Sequence, residues 1–588
     1  MKGYRDLFVK CLKPMRPKVA LLAVLIFVGI GLQLANPQIV RYFIDTVVAG
    51  SDFRPLILIA LVFLGVSLLA QIVGVTATYV GEDVGWRATN QLRADLTHHC
   101  LRLDMSFHNT HTPGEMIERI DGDVLTIASF FSQFVIHILG NVLLLVGVLF
   151  VLALDDWRIS LALLAYVVLA LAGLGYMRQI AVPYWRATRQ ASADLFGFLE
   201  EQLASTEDIR SSGAVAYVMR NLFKFSKACL DTALKSVTVN TLIAGVGAGL
   251  YVVGQSVAFV SGYYLLREGL LTVGTVYLVI YYTNFVFGRL FEIADQIQGL
   301  QQSVASIERV GALYAVESMI KSTPTPAVLP PGPLAVLFDD ITFGYNELEL
   351  VLQNVSFHLQ PGKTLGLLGR TGSGKTTITR LLFRLYDPAH GTICLGANGS
   401  RSGLMDACDI REIALDDLRQ RIGMVTQNVQ LFNAAVRDNV TFFDENISDE
   451  EILQVIAELG LSDWYGALPE GLDTRLETGG GNLSAGEAQL LAFARVFLSD
   501  PGLVILDEAS SRLDPATEKL IDCAIDKLLE NRTGIIVAHR LSTVHRVDHI
   551  MIIENGRIQE FGDYEDLVHD PTSRFYSLLQ TGLEEVLA

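Results

Sequence analysis

Six long apolar stretches fill the first half of this 588-residue sequence, at 19–48, 56–80, 127–154, 159–175, 237–266 and 273–291. Each approaches or exceeds the roughly 20 residues that carry a helix across the hydrocarbon core of a bilayer. Polar residues inside them, such as Gln33, Asn36 and Gln255, do not oppose insertion. Leucine-type residues, each contributing roughly −0.3 to −0.6 kcal/mol, greatly outnumber them. A hydrophobic content of 51% and a mean hydropathy of +0.39 exclude an ordinary soluble protein of this length. Six crossings return both ends of the chain to one side.

The connections fix which side. Three are short, AGSDFRP, DDWR and REGLL, whereas 82–124 and 178–235 are long, polar and rich in Arg and Lys. The positive-inside rule places the long connections and the basic opening MKGYRDLFVKCLKPMRPK in the cytoplasm. Heptad-like apolar spacing continues through the long connections, so the helices are expected to run on beyond the membrane. The first residues are expected to form an amphipathic lead-in anchored by Lys10, Lys13, Arg16 and Lys18, with no cleavable signal. Proline-rich KSTPTPAVLPPGP at 321–333 is the linker between a membrane domain, 1–320, and a second domain, 334–588. The net charge of −18 argues against nucleic-acid binding, which needs a basic face. Six scattered cysteines, with no metal-ligand spacing, read as reduced thiols.

Beyond the linker the apolar runs shorten to strand length and alternate with helical patterns, the mark of an α/β domain. Within it GRTGSGKTT, 369–377, fits the phosphate-binding loop GxxxxGK[ST], preceded by the strand-like KTLGLLG and followed by a helix. Gly369, Gly372 and Gly374 let the backbone curl so that amides from Gly369, Arg370, Thr371, Gly372, Ser373, Gly374, Lys375, Thr376 and Thr377 face phosphate oxygens. Lys375 suits the β and γ phosphates of ATP, and the Thr376 hydroxyl suits Mg2+. Upstream, Tyr345 is placed to stack on adenine; alone it reads equally as a strand-end tyrosine. Downstream, Gln427 can reach Mg2+ and the attacking water, or stand as a surface glutamine. LVILD ends an apolar strand in Asp507, a Mg2+ ligand, with Glu508 beside it to polarise water; two acids after a strand also suit a helix N-cap. LSAGE offers Ser484, Gly486 and a helix dipole to an anion. GIIVAHRLST ends in His539, a hydrogen-bond donor to the γ-phosphate unless it is merely structural.

In this order the motifs resemble the ATP-binding cassette (ABC) family: the 369–376 loop, Gln427, the signature 483–487, Asp507 and Glu508, SRLD at 511–514, and His539. With six preceding membrane segments, the whole chain resembles a half-transporter of the exporter type. The resemblance implies a multidomain membrane protein: an all-α six-helix transmembrane domain of the type I ABC exporter fold, then an α/β P-loop NTPase domain. It also implies two cassettes meeting head to tail, so that Ser484 and Gly486 serve the partner chain's nucleotide. In the membrane half 107–124 resembles the first intracellular loop and 203–215 the second coupling helix. ATP hydrolysis driving export across a cell membrane, with the cassette in the cytoplasm, is the function so implied; a gating subunit and an exporter-fold importer are the alternatives.

The sequence departs from the family pattern in two places. The signature reads LSAGE, with Ala485 and Glu487 where Gly and Gln are usual, while Glu508 is intact. That combination favours a heterodimer with a second half-transporter over a homodimer. In addition, 398–407 reads as a Gly/Ser-rich insertion in a hairpin. For the substrate, Tyr277, Tyr281, Tyr282 and Asn284 on the last membrane segment suit a lipophilic or amphipathic compound, with Arg289, Glu292 and Asp295 near its cytoplasmic end.

Overall fold

The computed structural model describes residues 13–133, 138–321, 323, 325–346, 349–397, 407–427, 429–477, 483–507, 515–538 and 544–581. Two compact units are present, one of Met1–Leu101 with Thr112–Val316, the other of Arg102–His111 with Glu317–Ala588.

The first unit is helical throughout. Its long helices are α1 (Arg16–Val48), α2 (Phe53–Leu101), α3 (Val124–Gln133), α4 (Gly140–Asp155), α5 (Trp157–Ala204), α6 (Val215–Arg267) and α7 (Val273–Tyr314). Among the described residues four, α1 (extended back to Lys13), α2, α5 and α6, are long and apolar enough to span a membrane, and α4 is a shorter apolar helix. The expected third crossing falls on α3 and α4, and residues 134–137 between them lie outside the described residues. The expected sixth is the first part of α7. At 1.5 Å per residue the 49 residues of α2 reach about 70 Å, twice the bilayer core. α5 and α6, with 48 and 53 residues, likewise continue into the long connections. A short helix, Thr206–Ser211, joins them where the second coupling helix is expected.

Caps explain the sharp turns on the short-loop side. The Asp156 carboxylate accepts from Arg158 N to start α5, and the Thr272 hydroxyl accepts from Thr275 N to start α7. Polar groups then tie three helices together at this end. Arg41 on α1 donates to Asp155 on α4 at 2.7 Å, and Asp45 accepts from both the Thr272 hydroxyl and Gly274 N at 2.8 Å. Position 274 has no room for a side chain, since a Cβ there would lie 2.5 Å from the Arg41 carbonyl oxygen. The apolar core beneath is built from Leu144, Val148, Leu152, Leu163, Leu278 and Leu290. Many other large apolar side chains, such as Leu58, Leu61, Leu68 and Ile72 on α2, face outward, as membrane helices require.

The second unit contains two sheets. β1 (Ala335–Phe343), β2 (Leu352–Leu359), β4 (His390–Gly396) and β5 (Ala407–Asp409) form an antiparallel sheet in the order β2-β1-β4-β5. The 398–406 part of the expected insertion, between β4 and β5, lies outside the described residues. The larger sheet, β10-β9-β3-β8-β7-β6, uses β3 (Thr364–Leu368), β6 (Ile422–Val425), β7 (Leu503–Asp507), β8 (Thr533–Val537), β9 (His549–Glu554) and β10 (Arg557–Asp563). All its pairings are parallel except β9 with β10.

Strand alternation distributes this sheet between two cores. Leu503, Ile505, Ile535 and Val537 point into one core, with Ile378, Leu381 and Leu382 of α8 (Lys375–Leu382) and with the smaller sheet. Val504, Leu506, Ile536 and Ala538 point into the other, with α9 (Asp449–Glu458), α10 (Ala485–Leu498) and α11 (Pro515–Leu529). Period-two alternation thus sets α8 and α10 on opposite faces of one sheet. A further short helix, Met105–Thr110, belongs to this unit: its cap Asp104 accepts from Met319 N at 2.6 Å, and Asn109 donates to the Tyr386 hydroxyl at 2.6 Å.

Candidate active site

The fully buried strand β3 delivers the chain into the 369–374 loop, and α8 leaves it. Three glycines hold the curl with φ of +154° at 369, +82° at 372 and +110° at 374, where side chains would be strained. A Cβ at 369 would lie 2.2 Å from the Ile553 carbonyl oxygen, so β9 crowds the loop from beneath. The buried Lys375 ammonium donates to the Gly369 and Arg370 carbonyls, folding across the loop. Ser373 Oγ is buried and has no hydrogen-bond partner among the described residues. Thr376 is exposed at the head of α8, whereas Thr377 is buried and its hydroxyl is 3.1 Å from that of Tyr345. A cradle of glycine backbone, a folded-back lysine and a buried hydroxyl lacking a partner fits a phosphate chain.

Parallel topology gathers the other candidates at the same edge. Leu367 and Asp507 both align with Val537, so β3, β8 and β7 end together. Asp507 is half-buried at the tip of β7. β6 pairs with β7, and Gln427 follows β6 by two residues, exposed. Glu508 and His539 lie outside the described residues, as does 511–514; the strands that lead into the first two, β7 and β8, end at this edge. Ligands of open parallel sheets bind at the carboxyl ends of the strands. Tyr345 is exposed, with its ring edge-to-face on Phe343 and Tyr386, and Arg380 donates to its hydroxyl at 3.1 Å.

Ser484 caps α10. Its hydroxyl accepts from Glu487 N at 3.2 Å, and the Glu487 carboxylate accepts from Ser484 N at 2.7 Å. This reciprocal capping box shows what Glu487 does: its charge is folded onto the helix head. Gly486 is buried one residue inside. Sequence reasoning missed Arg495 on the same helix. It donates to the Asn439 and Gln430 carbonyls at 2.6 and 2.9 Å, over the Phe442 ring, and burial pulls its pKa down to about 10. A single cation in the apolar run LLAFARVFL was the available signal.

The family scan matches residues 19–290 to the ABC transporter transmembrane region and 352–511 to ABC transporter. The chain belongs to the ATP-binding cassette transporter family. Among similar proteins, the uncharacterized ABC transporter ATP-binding protein YknV of Bacillus subtilis is 28% identical, over 95% of this chain and 91% of that protein. The ATP-dependent lipid A-core flippase of Desulfotalea psychrophila is 28% identical, over 91% of each. A bacterial Atm1-family ABC exporter solved with ATP bound superposes with a TM-score of 0.81 at 25% identity, covering 96% of this chain and 98% of that one. This ABC exporter is therefore a multi-span membrane protein with a cytoplasmic ATPase domain, and it couples ATP hydrolysis to transport.

In the membrane unit the tyrosines separate. Tyr277, Tyr281 and Asn284 line a cavity of about 450 Å³ with Tyr251 and Gln255 of α6. Tyr282 does not; it is fully buried and donates to the Leu34 carbonyl at 2.9 Å, a helix-packing contact. Arg289 and Glu292 pair at 3.0 Å, and Asn141 donates to Glu292 at 2.9 Å. The Asp295 side chain lies outside the described residues.

Proposed function

We propose that this chain is one half of an ATP-driven exporter of a lipophilic or amphipathic compound, acting as a dimer and paired by preference with a different half-transporter. The observation that carries the dimer is the placement of the phosphate loop and the signature helix on opposite faces of one sheet. A nucleotide held by both then needs a second cassette. Backbone amides of 369–377 and Lys375 hold the phosphates, Tyr345 stacks on the base, and Ser484 with Gly486 meets the partner's nucleotide. Thr376, Asp507 and Gln427 supply the hard oxygen donors that Mg2+ takes. Bound there, Mg2+ would neutralise charge on the β and γ phosphates. Glu508 orients the attacking water and His539 donates to the γ-phosphate.

The domain division at 321–333 goes with this reading. The aromatic and amide lining of the α6/α7 cavity supports the substrate class, as does a relative named as a lipid flippase. Inside-out membrane vesicles test the direction: ATP-dependent accumulation of a fluorescent amphiphile in them is expected. Accumulation only in right-side-out vesicles would replace export by import.

A further inference from the structure

Tyr345, two residues past β1, is held at its two ends by different parts of the cassette unit. Its hydroxyl stands 3.1 Å from that of Thr377 and accepts from Arg380 at 3.1 Å, both residues of α8. Pinning the hydroxyl leaves the ring free to turn about its own long axis, the broad second torsion of a tyrosine. That rotation decides which way the ring face looks, and a base stacks on a face. Two other rings set it. Phe343 lies edge-to-face with Tyr345 at 5.1 Å and 84°, and Tyr386 at 5.2 Å and 83°. Both are buried, whereas Tyr345 is exposed.

Phe343 belongs to a strand paired on both sides, so its ring is fixed by the sheet. Tyr386 has no strand to hold it; it lies in the turn after α8, which the Arg384–Asp387 ion pair closes at 2.9 Å. Its hydroxyl accepts from the Asn109 amide at 2.6 Å. Asn109 comes from the Met105–Thr110 helix, in the segment Arg102–His111, which belongs to the cassette unit although the chain on both sides of it belongs to the helical one. That helix is itself fastened. Asp104 accepts from Phe107 N at 3.2 Å and from Met319 N at 2.6 Å, and the buried Phe107 stacks on His111 at 4.3 Å.

We propose that Asn109 and Tyr386 are positioning residues for the nucleotide base: the hydrogen bond between them fixes the Tyr386 ring, and that ring sets the face Tyr345 offers to the base. A residue borne by the 1–320 part of the chain thereby sets how much a base adds to nucleotide affinity. By linkage, a bound base strengthens the hold on the 102–111 segment by the same factor. This rests on the reading of Tyr345 as the residue that stacks on the base.

The base's share of affinity is a ratio of dissociation constants, that of ribose 5-triphosphate over that of ATP. Both are measured by displacement of radiolabelled ATP from the full-length transporter in nanodiscs, without Mg2+ so that no turnover occurs. Asn109→Ala, and Tyr386→Phe, which keeps the ring, are each expected to lower this ratio about 2- to 10-fold, the scale of one edge-to-face ring contact. The double variant should lower it no further, because the two residues act through one bond. Asn109→Gln, which can still donate, should keep more of the ratio than Asn109→Ala. A merely structural loss would weaken both ligands alike, so an unchanged ratio in both single variants, or losses that add in the double variant, overturns the proposal. Tyr345→Ala separates it from the reading beneath it. A ratio near 1 in the unsubstituted transporter, or one that survives in Tyr345→Ala, means that no base stacks on Tyr345, and both fall. A ratio lost in Tyr345→Ala but kept in Asn109→Ala and Tyr386→Phe removes only the positioning role.

Discussion

Replacing Gly369 with Ala should damage the cassette far more than replacing Gly372, although both sit in the same loop at positive φ. The added Cβ at 369 would stand 2.2 Å from the Ile553 carbonyl oxygen and 2.6 Å from Ser373 Oγ. Ile553 is in β9, paired on both sides, so its carbonyl cannot retreat without disturbing the sheet. At 372 nothing lies within 4 Å, leaving only the cost of φ near +82°. That backbone cost is about 1–2 kcal/mol for a non-glycine residue. Overpacking against a fixed neighbour adds about 1–3 kcal/mol, so Gly369→Ala should cost roughly 2–5 kcal/mol in total. For a domain of this size 1 kcal/mol moves Tm by about 2–4 °C. Scanning calorimetry of the full-length protein in nanodiscs should therefore show the cassette transition falling by about 2–8 °C for Gly372→Ala and about 4–20 °C for Gly369→Ala. A fluorescent ATP analogue should bind the first variant and not the second. Equal Tm losses, or unimpaired nucleotide binding by Gly369→Ala, would mean that the Ile553 carbonyl does not confine position 369.

Two further substitutions probe the cassette. Asp548 accepts from Lys363 Nζ at 2.7 Å and from Thr364 N at 2.8 Å at the base of β3; burial pushes its carboxyl pKa up, but these partners outweigh it and hold the pKa low. A depressed carboxyl pKa adds stability above the unfolded-state value and loses it as pH falls through the folded one. Asp548→Asn should thus lower cassette stability at pH 7 by about 1 kcal/mol, a value kept small because the pair is partly exposed. The difference should begin to shrink below about pH 4, as the unfolded-state carboxyl protonates, and vanish only below the folded-state pKa; calorimetry that finds it constant from about pH 7 to 3 counts against the ion pair. At the signature, Glu487→Gln keeps the capping geometry but removes a charge from the helix head that, in the proposed dimer, meets the partner's phosphate. Like charges roughly 6 Å apart at an effective dielectric of about 40 repel by about 1.4 kcal/mol. The KM for ATP should fall about 5- to 10-fold with kcat changed less than 3-fold, and an unchanged KM would show that the carboxylate does not face the nucleotide.

What could be read from the sequence was whatever periodicity and backbone chemistry dictate. Apolar length announced the membrane helices, and the apolar run into GRTGSGKTT announced β3, its loop and α8, because only glycine allows the backbone angles found there. Long-range contacts were not legible. Tyr282 resembles Tyr277 and Tyr281 in the sequence, yet helix packing turns it toward Leu34 instead of the cavity. In the sequence Glu487 is only a departure from the usual Gln, and the geometry shows it capping its own helix. The role of Arg495 depends on which segments lie opposite, which no local pattern states.

We propose that ATP hydrolysis at the edge where β3, β7 and β8 end drives this transporter, with Glu508 acting on the water. The most direct test is Mg-ATP turnover of the protein purified from its native membranes into nanodiscs, beside Glu508→Gln, with particle mass determined on the same samples. A particle containing two cassettes is expected, in which Glu508→Gln still binds ATP while turnover falls by roughly 100-fold or more, the scale of a lost general base. Turnover by Glu508→Gln at the unsubstituted rate, in a particle of the same mass, would contradict it.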